Sequence, residues 1–350
     1  MRNRLQSLLN HAWYGRGRWL WPLFFLSALF GILAQRRRQQ FLQGQKPVYR
    51  APVPVIMVGN ITVGGTGKTP LTLWLVKQLQ ARGYRPGIVS RGYGGQAPHY
   101  PHLIGSNDTA AITGDEPLML ARRSGVPVVI DPDRGAAVQA LLQQTDCNLV
   151  ISDDGLQHYR LGRTLELVVM DGSRGLGNGE LLPVGPLREP ATRLQEVDAV
   201  VVNGSADHPS LYALPAARRH SLRIVPGPFR SLQDQSEASA DASIDTLQRE
   251  PRLMAIAGIG HPQRFFDTLT QMGVQCETRA FPDHHAYTAA DIASLNGAAI
   301  LTTEKDAVKL QGMAGVRGWY LPVDAEVQGD LIDVIIAGLQ RFEQSRQHRY

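Results

Sequence analysis

Residues 59–70, GNITVGGTGKTP, combine the residue types that hold phosphate groups. Gly64, Gly65 and Gly67 permit a close backbone with positive φ, which points amide groups at an anion. The lysine would reach the β- and γ-phosphates of a nucleotide, and the threonine that follows it would be a ligand of Mg²⁺. Thr62 stands where the G-x-x-x-x-G-K-[ST] pattern has its first glycine, so the match is to the looser form GGTGKT. The predicted nucleotide contacts are Gly64, Gly65, Thr66, Gly67, Lys68 and Thr69.

Two adjacent carboxylates follow a short apolar run at residues 149–152. P-loop enzymes hold a metal ion on a carboxylate at the end of a neighbouring strand. Adjacent carboxylates repel each other, and a divalent cation relieves that repulsion. We therefore predict that Asp153 and Asp154 hold Mg²⁺; the alternative is a solvated strand end with two acids.

Two further clusters contain groups that can accept or orient a proton. Asp115 and Glu116, in TGDEP, are either a general base for an acceptor hydroxyl or a helix cap, and the residues alone favour the cap. In FPDHHAY, Asp283 precedes His284 and His285, and a histidine beside a carboxylate can orient a base. The two histidines could also bind a metal, but no third ligand is spaced to join them.

A long loop, GNGELLPVGPLREP at residues 177–190, is rich in glycine and proline. Long loops inside compact domains are often functional. Arg188 of this loop could neutralise the charge that develops on a phosphate during its transfer.

The positive charge of the chain belongs to its first fifty residues. The 350-residue chain has a net charge of +5, with 36 basic and 31 acidic residues. Residues 1–50 contain nine Lys or Arg and no Asp or Glu, which leaves 27 basic against 31 acidic residues, a net of −4, in the remainder. A nucleic-acid-binding domain would instead show a basic face on its folded body, so we expect no nucleic-acid partner. Two cysteines outside any Cys/His cluster argue against a disulfide scaffold or a structural zinc site.

The apolar run at residues 19–34 predicts a membrane-associating segment. As a helix, its 16 residues would span ~24 Å, less than the ~30 Å hydrocarbon core of a bilayer. A cleaved signal peptide is disfavoured, because Arg36–Arg38 follow directly and no clear cleavage site appears. A buried helix remains an alternative to the anchor that we favour, interfacial or shortly spanning, with Trp13, Tyr14, Trp19 and Trp21 at headgroup level. Arginines on both sides leave its orientation open.

Short apolar runs alternate with helical patterns along the rest of the chain, which predicts an α/β fold with a mainly parallel sheet of the P-loop NTPase type. We expect a membrane-associating segment at residues 1–50 and a P-loop domain at 51–220. Residues 221–350 would form a linker and a smaller α/β domain, with the polar residues 231–251 as the linker and GWYLPVDAEV as one last strand.

Seven motifs in this order carry a family resemblance: GGTGKTP, SRGYG, GDEP, DDGLQH, GNGELLPVGPLREP, FPDHHAY and LTTEKDAVK. Together they resemble tetraacyldisaccharide 4′-kinase, the lipid A 4′-kinase of Gram-negative bacteria. The resemblance implies transfer of the γ-phosphate of ATP, with Mg²⁺, to the 4′-hydroxyl of a tetraacylated glucosamine disaccharide 1-phosphate. It implies this lipid and the membrane as partners, and the cytoplasmic face of the inner membrane as the location. The sequence identifies no protein partner.

The resemblance also implies residue roles, with two α/β units facing each other across the active site. Asp115 would be the base and His284, rather than His285, its partner; Lys68 and Arg188 would act on the phosphates. Thr69, Asp153, Asp154 and Glu189 would hold the metal, and Arg134 and Asn178 would contact substrate.

Two rival functions remain open from the residues alone. A soluble P-loop kinase or ligase for a small metabolite would leave the apolar segment unexplained. In the other, a membrane-associated nucleotide switch, TEKD (303–306) would be a weak form of the guanine-reading N-K-x-D, or only a capped helix start.

Overall fold

Strands and helices alternate along most of the chain and form two sheets of unequal size. The structure is a computed structural model that describes residues 2–15, 17, 19–212, 214–233 and 243–347. The strands are β1 (Val55–Gly59), β2 (Pro86–Ser90), β3 (His102–Leu103), β4 (Val128–Ile130), β5 (Leu149–Asp153), β6 (Leu165–Asp171), β7 (Ala199–Asn203), β8 (Arg219–Pro226), β9 (Arg230–Ser231), β10 (Leu253–Ala257), β11 (Glu277–Ala280), β12 (Ala299–Thr303), β13 (Gly318–Leu321) and β14 (Val323–Gln328). The helices are α1 (Arg2–Tyr14), α2 (Phe24–Leu42), α3 (Lys68–Gln80), α4 (Ala110–Thr113), α5 (Asp115–Ser124), α6 (Arg134–Gln144), α7 (Ile244–Gln248), α8 (Pro262–Gln271), α9 (Ala289–Ala293), α10 (Glu304–Leu310) and α11 (Leu331–Gln347).

The larger sheet has the strand order β14-β8-β7-β6-β1-β5-β2-β4-β3 within the described residues. All neighbours are parallel except the edge pairs β14–β8 and β3–β4. The alternation of side chains along β1 explains why its apolar run is continuous. Ile56 and Val58 pack with the helix α3 on one face, while Val55 and Met57 pack with α6 on the other. The α/β class and the mainly parallel sheet predicted from the sequence are confirmed.

The smaller sheet has the order β11-β10-β12-β13-β9 in the described part of the chain. Its strands β10, β11, β12 and β13 are parallel, and β9 is antiparallel to β13. Phe265, Phe266 and Leu269 of α8 cover one face of this sheet, and Ile292 of α9 lies in the cluster on the other face. The larger and smaller units therefore have separate cores.

The division between the units differs from the predicted boundary at residue 221. The run GWYLPVDAEV is not one strand: β13 belongs to the smaller sheet, whereas β14 pairs antiparallel with β8 in the larger one. Pro322 separates the two strands, and it has no backbone N–H with which to continue a ladder. The helix α11 then packs into the core of the larger unit through Ile335 and Leu339. The chain therefore leaves the larger unit after β8 and returns to it at β14.

The predicted linker at residues 231–251 is described only in part. Residues 234–242 lie outside the described residues. The final third of the predicted linker contains the short helix α7, whose Leu247 is buried in the core of the smaller unit.

The N-terminal helices rest against the loop at residues 177–190 and leave an apolar face exposed. Trp13 Nε1 donates to the carbonyl of Pro183 at 3.0 Å, and the Ser27 hydroxyl donates to that of Leu181 at 2.9 Å. We define the apolar face as the large, solvent-exposed side chains Trp19, Trp21, Phe24, Phe25, Leu26, Leu29, Ile32 and Leu33. Because these side chains are exposed, the alternative prediction of a buried helix is wrong for them. Within the described chain, no helix combines the length and the apolar character needed to cross a bilayer.

Candidate active site

The glycine-rich loop lies between β1 and α3, at the carboxyl edge of the larger sheet. Gly67 precedes the first residue of α3 and has a φ of 102°, a left-handed conformation that favours glycine. A Cβ at Gly67 would lie 2.8 Å from Nδ2 of Asn203, which donates to the carbonyl of Thr66 at 3.0 Å. Asn60 Nδ2 likewise donates to the carbonyl of Gly64 at 3.1 Å. The amino end of α3 is therefore held open toward an incoming anion.

Asp154 brings the loop at residues 177–190 and the glycine-rich loop together. Its Oδ1 atom lies 3.5 Å from Lys68 Nζ and 3.6 Å from an Arg188 guanidinium nitrogen. Burial raises the pKa of Asp154, but the charges of Lys68 and Arg188 outweigh it, and the net shift is downward. Asp154 has a φ of 47°, a left-handed conformation that few residues other than glycine, asparagine and aspartate adopt and that recurs at active sites. Both predicted phosphate-binding cations thus meet the predicted metal site.

Asp153 is the last residue of β5 and is almost completely buried. Its Oδ1 atom has no hydrogen-bond partner among the described residues. Burial and the nearby charges of Glu116 and Asp154 raise its pKa to about 7. A buried carboxylate oxygen without a partner is costly, and a bound cation would supply the missing partner.

Asp115 and His284 meet across the two units although 169 residues separate them. His284 Nδ1 lies 3.0 Å from each carboxylate oxygen of Asp115, which is 5% exposed. The hydrogen bond to Asp115 raises the pKa of His284. Burial raises the pKa of Asp115, but the hydrogen bond from His284 and the charges of Lys305 and Lys309 lower it to about 2. The aspartate and the histidine therefore form a hydrogen-bonded pair, which we call the dyad.

The dyad is held by structure on both sides. Asp115 is the first residue of α5, and its Oδ1 also accepts the backbone N–H of Glu116 at 2.9 Å. His284 has a φ of 57°, and its backbone N–H donates to Gly258. The ring of Tyr93 contacts His284 edge-on, with 5.1 Å between the ring centroids. His285 instead contacts Asp291 at 3.1 Å, so His284 is the histidine that meets Asp115.

Two lysines of α10 complete the contact between the units. Lys305 Nζ lies 3.2 Å from Glu116 and 3.3 Å from His284 Nε2. Lys309 Nζ lies 2.7 Å from Asp306 and 3.6 Å from Asp115. Burial lowers the pKa of Lys305, but the charges of the surrounding carboxylates outweigh it, so the net shift is upward. Of the two alternatives for TEKD (303–306), the structure shows the capped helix start: Thr303 caps α10, and its hydroxyl accepts the N–H of Asp306 at 3.2 Å.

Two predicted site residues are engaged in contacts that brace the site. Glu189 is buried, and its carboxylate accepts from Gln157 at 2.8 Å and from the hydroxyl of Tyr159. Asn178 Nδ2 donates to the carbonyl of Val184 at 2.9 Å, and its backbone N–H donates to that of Trp13. Glu189 therefore ties down the loop, and Asn178 joins the loop to α1.

Arg134 is buried under the aspartate pair. Its guanidinium donates to the backbone carbonyl of Asp131 at 2.8 Å and approaches that of Asp153 at 3.5 Å. Burial lowers the pKa of Arg134 to about 10, while the charges of Asp153 and Asp154 oppose the shift. Its positive charge lies under the place where the carboxylate pair would hold a cation. Thr69 is half-buried at the second position of α3.

Sequence reasoning missed Tyr93, Lys305 and Lys309 as parts of the site and set Glu116 aside. The signals were present, since these residues lie in SRGYG, LTTEKDAVK and GDEP. Their roles depend on contacts between the two units, and residue spacing along the chain does not report such contacts. Taken together, the site can hold an anion at α3, a cation at Asp153 and Asp154, and a proton at the dyad.

Comparisons with known proteins match this chain to one family. A family model described as tetraacyldisaccharide-1-P 4′-kinase matches residues 18–340. A tetraacyldisaccharide 4′-kinase of Aeromonas salmonicida is 47% identical over 335 residues, which are 95% of this chain and 96% of that protein. One of Pseudomonas aeruginosa is 49% identical over 314 residues, with 90% of this chain and 91% of that protein covered.

A solved structure is also similar. The "apo" form of LpxK from Aquifex aeolicus, in complex with ATP, superposes with a TM-score of 0.73 at 26% sequence identity. The match covers 91% of this chain and 98% of that one.

Proposed function

We propose a mechanism on the premise that this chain belongs to the tetraacyldisaccharide 4′-kinase family and is an ATP-dependent kinase of lipid A biosynthesis. In this reaction the γ-phosphate of ATP passes to the 4′-hydroxyl of a tetraacylated glucosamine disaccharide 1-phosphate. The observation that carries the mechanism is the 3.0 Å contact between Asp115 and His284, which joins the two units.

The glycine-rich loop and two cations hold the triphosphate. The backbone amides from Gly64 to Thr69 and the amino end of α3 accept its negative charge. Lys68 reaches the β- and γ-phosphates, and Arg188 neutralises charge on the phosphoryl group as it leaves ADP. Both side chains contact Asp154 in the structure, so Lys68 and Arg188 would exchange part of their contact with Asp154 for contact with the triphosphate.

The residues around Asp153 fit Mg²⁺. Its unpartnered buried oxygen, the carboxylate of the adjacent Asp154 and the hydroxyl of Thr69 would supply the oxygen ligands that this ion prefers. Bound there, Mg²⁺ would neutralise charge on the β- and γ-phosphates. Arg134 supports the carboxylate pair from below, and Glu189 braces the loop that carries Arg188.

The dyad takes the proton of the attacking hydroxyl. His284 Nδ1–H donates to Asp115, and Lys305 Nζ lies 3.3 Å from His284 Nε2, so the histidine ring is held between Asp115 and Lys305 in one orientation. Asp115 accepts the hydroxyl proton, and the hydrogen bond lets His284 share the change of charge. The base comes from the larger unit and its partner from the smaller one. Approach of the two units therefore assembles the pair and excludes water.

The substrate is an acylated lipid, and the apolar face of the N-terminal segment suits contact with a membrane. The exposed aromatic and aliphatic side chains of the apolar face lie on α2 and just before it, and Arg36 and Arg37 follow; this arrangement fits an interfacial position at an anionic membrane surface. ATP is cytoplasmic, so the proposed location is the cytoplasmic face of the inner membrane. A helix on the membrane brings the site to a substrate whose acyl chains stay in the bilayer.

Transfer of labelled γ-phosphate to the acylated disaccharide 1-phosphate in detergent micelles tests this function. Lys68→Ala should lower transfer about 100-fold or more, because it removes the charge that holds the β- and γ-phosphates. Lys77→Ala is the matched control, since Lys77 is exposed on the same helix. Equal activity of Lys68→Ala and Lys77→Ala would refute the role of the loop. If labelled phosphate left ATP equally fast with and without the acylated acceptor, the assigned substrate would be refuted.

A further inference from the structure

A second group of cations lies where the two units and the N-terminal helix meet. We call it the rim cluster and define it as Tyr14, Asp171, Arg174, His261 and Arg264. Asp171 ends β6, and Arg174 lies in the turn that follows. His261 and Arg264 lie at the start of α8 in the smaller unit. An Arg264 guanidinium nitrogen is 3.3 Å from Asp171 Oδ2, so the cluster spans the two units.

Positive charge in the rim cluster exceeds negative charge. Asp171 is its one carboxylate, and the Oδ1 atom already accepts from the backbone and hydroxyl of Ser173 and from the backbone of Arg174. Among the described residues, no carboxylate lies within ion-pair distance of the Arg174 guanidinium, which instead stacks on the Tyr14 ring at 4.6 Å. Burial and the two arginines lower the pKa of His261 to about 4. The cluster therefore disfavours a further cation and favours an anion.

The rim cluster is continuous with the active site on one side and with the N-terminal segment on the other. A Cβ at Gly260, the residue before His261, would lie 3.3 Å from Oδ2 of Asp283, and the Asp283 carboxylate lies 3.6 Å from Lys305 Nζ. The hydroxyl of Tyr14 donates to the carbonyl of Val63, which lies in the glycine-rich loop directly before Gly64. A molecule with its hydroxyl at the dyad and its acyl chains at the apolar face would therefore pass the rim cluster.

The acceptor of the proposed reaction carries a phosphate at the opposite end of its disaccharide from the 4′-hydroxyl. We propose that Arg174 and Arg264 bind this second phosphate and thereby position the acceptor; the inference rests on the proposed function. Guanidinium groups match the geometry of phosphate oxygens and can donate two parallel hydrogen bonds. One arginine comes from each unit, so the bound phosphate would also hold the units together.

Steady-state kinetics with two acceptors test this assignment. The acceptors are the tetraacylated disaccharide 1-phosphate and the same disaccharide without the phosphate. Neutral detergent micelles are used so that no other lipid phosphate competes. The variants are Arg174→Met, Arg264→Met and their combination. Arg252→Met is the control, because Arg252 is an exposed arginine of the same unit as Arg264 and pairs with Glu277.

For the wild type, removal of the phosphate should raise the acceptor KM about tenfold or more, since a charge-assisted hydrogen bond is lost. The double variant should show that higher KM with both acceptors, while its KM for ATP stays unchanged. Arg264→Met, which removes a half-exposed side chain, should lose part of the discrimination even if the double variant is unstable.

Two results would overturn the inference. The first is a double variant that still prefers the phosphorylated acceptor as strongly as the wild type does. The second is a loss of kcat that is equal for both acceptors with KM unchanged, which would mean a structural role for the arginines. A wild-type protein that phosphorylates neither acceptor would instead refute the proposed function.

Discussion

Asp115→Asn separates the dyad from every other part of the site. The substitution keeps the shape of the side chain, removes its charge and leaves it unable to take a proton from a hydroxyl. The structure sets the size of the effect on stability. A carboxyl with a pKa of about 2, against an ordinary value near 4, has its charged form favoured by about 2 to 3 kcal/mol. His284, Lys305 and Lys309 supply that stabilisation against the cost of burial.

We expect turnover by Asp115→Asn to fall about 100- to 10,000-fold, the usual worth of a positioned base. The KM for ATP should stay near normal, because the glycine-rich loop is unchanged. The free energy of unfolding should fall by about 2 kcal/mol, since the amide no longer attracts three cationic partners. Labelled phosphate transfer measures the first two quantities, and urea denaturation measures the third.

A double-mutant cycle with His284→Asn makes the test sharper. Because the two residues act as a unit, the double variant should be about as slow as the slower single variant. His285→Asn is the matched control: it breaks the contact of His285 with Asp291 in the same loop but leaves the dyad intact. Its turnover should stay within about twofold of the wild type.

Two results would refute the reasoning. Near-normal turnover by Asp115→Asn would remove Asp115 as the base. Losses that multiply in the double variant would mean that Asp115 and His284 act independently, so that the 3.0 Å contact is structural only.

Two further predictions concern pH and the membrane. The lowered pKa of Asp115 contributes folding stability that is present above about pH 4 and is lost as the pH falls through about 2. The raised pKa of His284 contributes folding stability that is present below about pH 6.5 and is lost as the pH rises through the pKa of His284 in the folded protein. The difference in unfolding free energy between wild type and Asp115→Asn, measured by urea denaturation, should therefore be larger near pH 5.5 than near pH 9, and an equal difference would contradict the charge assignment. Phe25→Ser with Ile32→Ser, two side chains that are 65% and 62% exposed, should lower binding to anionic phospholipid vesicles about tenfold or more. Tyr212→Ser, an exposed aromatic outside this face, is the control; equal vesicle binding by both variants would refute the membrane role of the apolar face.

Local sequence determined the parts of the site that are continuous in the chain. The phosphate-binding loop was predictable because a strand, a glycine-rich turn and a helix start are all specified within twenty residues. The placement of Asp153 and Asp154 near the glycine-rich loop was predictable, because parallel neighbours place the ends of β1 and β5 at one edge of the sheet. Seven ordered motifs then indicated the family, which the relatives and the family model confirm.

Tertiary structure decided everything that depends on contacts between distant residues. The residues alone favoured a helix cap for Asp115, and only the approach of the smaller unit brings His284 and two lysines to it. Glu189 and Asn178 lie in a functional loop, yet their contacts brace that loop. The return of β14 to the larger sheet was missed because an edge strand looks the same in sequence whichever sheet it joins. A sequence specifies short-range geometry through backbone preference and periodicity, whereas the partner of a side chain across two units depends on how their separate cores pack together.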